Sequence, residues 1–65
     1  MSKRVFAYEL EPGDRISHLG EEVVIETAES KPKDGGVYTY VVGYYEESGD
    51  DFHRFYDDNG YVVVL

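Results

Sequence analysis

Sixty-five residues carry fourteen acids against six bases, a net charge of −8; that charge disfavours a nucleic-acid or anionic-membrane partner, whose phosphates attract the opposite sign. There is no cysteine, so a disulfide and a thiolate zinc site are excluded, and two histidines do not fill a four-ligand metal site alone. A chain this short buries only ~60% of the surface its unfolded form exposes, so the core has to come from seven tyrosines, three phenylalanines and the aliphatic residues.

In chain order, Lys3-Arg4-Val5-Phe6-Ala7-Tyr8 reads as a short first strand, and no apolar run long enough for a secretory signal or a membrane span follows it. The expectation is a cytoplasmic protein. Pro12-Gly13 signals a type II turn, because proline presets the first central φ and glycine supplies a positive φ at the second. Asp14 to Leu19 alternates, with Ile16 inward, and Gly20-Glu21 breaks the run. Glu22 to Glu29 is a strand with Val23, Ile25 and Thr27 on its core face. Ser30 to Gly36 is the longest polar stretch and is expected to be a mobile loop.

Val37-Tyr38-Thr39-Tyr40-Val41-Val42-Gly43-Tyr44-Tyr45 is the centre of the chain. It has no charge and no proline, and eight of its nine residues are β-branched or aromatic. Both alternating sets are apolar, so the run predicts either burial on two faces or one tyrosine-rich face left exposed. Gly43 marks a bulge or bend. Phe52 to Tyr56 and Tyr61 to Leu65 complete the strands, joined by Asp57-Asp58-Asn59-Gly60. Asn-Gly is the preferred pair for a two-residue hairpin with positive φ, which would make Gly60 essential. One core is expected from Val23, Ile25, Val41 or Val42, Phe55 and Val63.

The pattern is all-β: five short antiparallel strands in a single domain over residues 1–65, closed into a barrel to remove free edges. Leu10-Glu11-Pro12-Gly13-Asp14-Arg15-Ile16 resembles the L-x-P-G-D-x-I/V opening of many small SH3-like barrels. The order that follows, Gly20, Glu22–Glu29, Gly35-Gly36, Val37–Tyr45, Arg54-Phe55 and Tyr61–Val64, is similar to theirs. The resemblance spans roughly residues 8 to 65 and implies a five-stranded SH3-like barrel. Nucleic-acid-binding members of that class are basic, and this chain departs from them in sign, so no functional residue is carried over.

No nucleophile, base and orienting group can be assembled; Ser17 and His18 are adjacent in a strand and point to opposite faces. The reading is of a non-enzyme without cofactor or metal. Asp57-Asp58-Asn59-Gly60 hints at a calcium loop, but the closing bidentate glutamate would fall beyond Leu65. What remains is an acidic protein-binding module. Glu46, Glu47, Asp50, Asp51, Asp57 and Asp58 place six carboxylates within thirteen residues around the single base Arg54, a stripe roughly 16 Å long if five extended residues separate its turns. Such a stripe suits a partner protein with a basic surface, including a groove that normally holds nucleic acid, which would make the module an inhibitor or regulator. A solvated, merely solubilising edge is the plainer reading of the same charges. Tyr44 and Tyr45 join the binding residues, because seven tyrosines cannot all be buried with their hydroxyls satisfied. A homodimer through a sheet edge is a further expectation. The alternative function is a small nucleic-acid-binding or adaptor barrel acting through Lys3, Arg4, Arg15, Lys31 and Lys33 or through a tyrosine-rich face.

Overall fold

The computed structural model describes residues 3–65. Six strands, β1 (Lys3–Phe6), β2 (Arg15–His18), β3 (Glu21–Lys33), β4 (Gly36–Tyr45), β5 (Asp51–Tyr56) and β6 (Tyr61–Val64), form one antiparallel sheet in the order β1-β6-β2-β3-β4-β5. The all-β, antiparallel expectation holds, with one more strand than expected, since Lys3–Phe6 and Arg15–His18 both enter the sheet. The first strand stops at Phe6. Ala7–Glu9 turn into a short 3₁₀ helix, where the Glu9 carboxylate accepts the Phe6 N–H at 2.9 Å and buried Ala7 donates to the Gly60 carbonyl at 3.0 Å.

The sheet is curled but open. In a flat sheet β2 and β5 would lie three strand spacings apart, about 14 Å, yet the His18 and Phe52 rings meet edge-on with centroids 5.1 Å apart. Curling wraps one face around a cluster of Leu10, Ile16, Val23, Ile25, Val41, Phe52 and Val62. No ladder joins β1 to β5 among the described residues, so both remain edges and the expected full closure is not reached.

Pro12-Gly13 behaves as read: Gly13 has φ 94°, and the Asp14 N–H donates to the Glu11 carbonyl at 3.1 Å. Three other expectations are corrected. Ser30 to Lys33 continue β3 and pair through to Lys33↔Gly36, so the polar stretch is the end of a long hairpin, turned by Asp34 and Gly35 (φ 81°). Pro32 is tolerated there because β2 pairs with β3 only as far as Val24, and the far side of β3 beyond the β2 ladder is an edge that needs no N–H. A bulge between Ile25 and Thr27 shifts the register by one residue, so Thr27 is exposed and Ala28 packs on the core instead. The core parity of the last two strands is also shifted. Phe52 and Val62 are buried, whereas Phe55 is 65% exposed and Val63 is also exposed.

Asn59-Gly60 is not a hairpin, because β5 and β6 lie far apart in the sheet. The Gly60 N–H closes an ordinary turn on the Asp57 carbonyl at 3.1 Å, and neither Asn59 nor Gly60 has a positive φ. The two-residue hairpin with two positive φ angles lies at Leu19 (51°) and Gly20 (82°), between the paired residues His18 and Glu21. Leucine in that conformation is costly, and Leu19 is almost fully exposed.

Candidate functional site

Alternation along β4 sends Thr39, Val41 and Gly43 into the core and Tyr38, Tyr40, Val42 and Tyr44 to the outer face. Across from them on β5, Tyr40 pairs with Phe55, Val42 with His53 and Tyr44 with Asp51. The result is an aromatic band on the outside of the sheet. Phe55 stacks on Tyr40 with centroids 4.5 Å apart, leans on Tyr38 at 5.6 Å, and His53 lies 6.5 Å from Tyr40. This band sits at the β5 edge, next to unpaired backbone.

Sequence reasoning missed Phe55 as a surface residue by assigning it to the core. The signal was there: Phe52 and Phe55 are three residues apart, and in a regular strand an odd spacing puts side chains on opposite faces. The Tyr44–Tyr45 pair divides in the same way. Tyr44 joins the outer face, while Tyr45 is half-buried, edge-on to Phe52 at 5.7 Å, and packs against the core. Burial holds the neighbouring Tyr56 phenol above its ordinary range.

Glu46, Glu47, Asp50, Asp51, Asp57 and Asp58 are all exposed. Glu46 and Glu47 follow β4, Asp50 and Asp51 open β5, and Asp57 and Asp58 follow its end, so the acids lie at both ends of an edge strand. They are not equivalent. Glu46 shares Arg15 with Glu22: the Arg15 guanidinium donates to Glu22 at 2.5 Å and lies 3.4 Å from Glu46. That hydrogen bond, with the charge of Glu46, raises the Arg15 pKa. These are the only ion pairs among the described residues. Asp57 Oδ1 accepts the Asn59 N–H at 3.0 Å and shapes its own turn, and the Asp50 N–H donates to the Ser48 hydroxyl at 3.2 Å.

The bases do not gather. Lys3 and Arg4 lie on β1, Arg15 on β2 and Lys31 and Lys33 on the outer half of β3. Arg4 covers the Tyr61 ring at 4.9 Å and Arg54 covers Tyr56 at 5.5 Å. No group of three or more His, Asp or Glu side chains among the described residues is placed to hold a metal ion, and no helix is long and apolar enough to cross a membrane.

A surface cleft of about 590 Å³ opens where the β3–β4 hairpin faces the turn after β5. Tyr38 and Phe55 of the aromatic band line it, with Val37, Tyr56, Asp57 and Asp58. Gly36 makes room for the acidic wall: a Cβ there would come within 2.8 Å of Asp58 Oδ2.

No protein-family model matches the chain, and no curated protein matches it. The fold itself is shared with solved structures. The chain is similar to a translation initiation factor eIF-5A family protein from Naegleria fowleri, with a TM-score of 0.83 and 14% identity, over 97% of this chain and 46% of that one. It is also similar to eukaryotic translation initiation factor 5A from Methanococcus jannaschii, with a TM-score of 0.78 and 22% identity, over 97% of this chain and 49% of that one. The chain therefore spans about half the length of these structures, and at these identities the likeness is one of fold.

Proposed function

We propose that the chain is a non-enzymatic binding module that docks a basic protein through the aromatic band on β4 and β5. The observation that carries this reading is Phe55: a phenylalanine 65% exposed on an edge strand, stacked into a continuous row with Tyr38 and Tyr40. Single exposed apolar residues are ordinary, but a contiguous aromatic row beside unpaired backbone has the make-up of an interface centre. The carboxylates at both ends of β5 supply a rim that favours a positively charged partner.

The fold it shares with parts of translation factors supports a place for the module in the translation apparatus, and so in the cytoplasm. Its SH3-like kinship is the finer form of that likeness. Direct binding of RNA through Lys3, Arg4, Arg15, Lys31 and Lys33 is the weaker version, because those bases are spread over three strands and Arg15 is already paired. The most specific version is an inhibitor or regulator whose β5 acids occupy a groove that otherwise holds nucleic acid.

The test is affinity capture of partners with the parent chain, with Phe55→Ala, and with charge reversal at Glu46, Glu47, Asp50 and Asp51. Loss of the same basic protein with Phe55→Ala, in a variant that still folds, supports docking through the band. Capture unchanged by Phe55→Ala would overturn it. Binding by the acids weakens steeply with salt, whereas binding by the aromatic row does not, so a salt titration separates the inhibitor version from simple docking.

A further inference from the structure

The cleft between the β3–β4 hairpin and the turn after β5 combines aromatic and acidic walls. Its apolar lining is aromatic, with Tyr38 and Phe55 inclined at 54° to each other, and its acidic wall is Asp57 and Asp58. Its volume, about 590 Å³, lies within the range of small-ligand sites. Aromatic faces attract cations through their quadrupole, and more strongly when the cation leaves water. The chain fills two such positions with its own arginines, Arg4 on Tyr61 and Arg54 on Tyr56. Among the described residues it puts no cation over Tyr38 or Phe55, and neither Asp57 nor Asp58 is in an ion pair. The lining holds one base, Lys33, and three carboxylates, since Asp34 also contributes.

We propose that this cleft receives the side chain of a lysine presented by the partner protein, its methylenes against Tyr38 and Phe55 and its ammonium toward Asp58. The proposal rests on the reading of the chain as a protein-binding module and specifies what the partner inserts. Charge selects a cationic occupant. An anion would meet the three carboxylates, and a neutral apolar side chain would leave the acidic wall without a counter-charge. Gly36 belongs to the site as well, because a Cβ there would come within 2.8 Å of Asp58 Oδ2.

The experiment needs no partner. The chain, labelled with ¹⁵N and ¹³C in its aromatic rings, is titrated with Nα-acetyl-lysine methylamide and, in parallel, with the same compound acetylated on Nε, which has lost the charge. Saturable shifts at Tyr38, Phe55 and Asp58 with the first probe and not with the second are expected. Asp58→Asn should weaken the first probe by about two- to fivefold, and Lys33→Ala should tighten it, because it removes a competing charge. Both positions are exposed, and a circular dichroism spectrum checks that the variants fold. Equal shifts with both probes, no shifts at these residues with the charged one, or weaker binding by Lys33→Ala would each overturn the proposal. Failure here leaves the Phe55→Ala capture result untouched, so a wrong ligand and a wrong module are told apart.

Discussion

The two faces of β4 follow different rules. Inward, Thr39 and Val41 are fully buried, the Thr39 hydroxyl is satisfied by Ser30 at 2.9 Å, and Gly43 lies against the β3 backbone. Outward, Tyr38, Tyr40, Val42 and Tyr44 are half-buried, and Phe55, stacked on Tyr40 and leaning on Tyr38, is mostly exposed. At Gly43 the inner face has no room for a side chain. The outer face carries Tyr38, Tyr40, Tyr44 and Phe55, whereas Phe52 is the one aromatic among the buried residues of the core cluster. Core packing therefore accounts for the inner side of this strand, and the proposed binding role falls on the outer side.

The sharpest way to break that contrast is Gly43→Val. A Cβ at position 43 would sit 2.0 Å from the Val24 carbonyl oxygen and 3.2 Å from the Ile25 Cα. Backbone cannot yield as a side chain can, so the cost should exceed about 4 kcal/mol, read as loss of the folded spectrum at room temperature. Next comes Ile25→Ala, on the same inner side and 1% exposed, which should cost about 2–5 kcal/mol in denaturant unfolding. Phe55→Ala on the outer face should cost no more than about 1.5 kcal/mol, the worth of its stacking, while it abolishes partner capture. A loss of stability as large as that of Ile25→Ala would show that the outer band is structural after all.

The smallest expected effect is one of pH. Burial against Phe52, reinforced by the Arg54 charge and opposed by Glu21, holds the His18 imidazole below its ordinary value of 6.5. The unfolded chain then takes up the proton before the folded one does. The stability from neutral His18 is present above about pH 6.5 and is lost as pH falls through the lower folded value. Unfolding measured from pH 8 to pH 5 should show this decline, and His18→Gln should flatten it. An unchanged slope in the variant would assign the decline to other groups.

Much of the chain was legible because its signals are local. The Val37–Tyr45 run forms all of β4 but its first residue, and of the two expectations for its faces neither is fully met, since Tyr38 and Tyr40 lie on the outer face but are half-buried. Pro12-Gly13 turns as its composition dictates, and the inward parity of Ile16, Val23 and Ile25 is correct. Of the candidate binding residues, the six acids are exposed as charge requires, whereas Tyr45 packs inward beside Phe52.

The sequence by itself determined the β character, the central strand, the register up to Ile25 and the acidity of the turns. Each depends on residues close in the chain, through backbone propensity, alternation and the cost of burying charge. Tertiary structure decided the rest. The bulge after Ile25 reverses the parity of β3 because the strand must bend around the core. Asn59-Gly60 carries the strongest hairpin signal, yet it joins strands that sit far apart in the sheet, and Leu19-Gly20 takes the hairpin conformation instead. The sequence reading put Phe55 in the core, and the curl of the sheet, which brings Phe52 against His18, reverses that assignment. That reversal put Phe55 outside and set Tyr38 and Phe55 beside Asp57 and Asp58. Its physical reason is long-range: a curled sheet has a single concave side, and strands far apart in sequence must agree on which residues fill it.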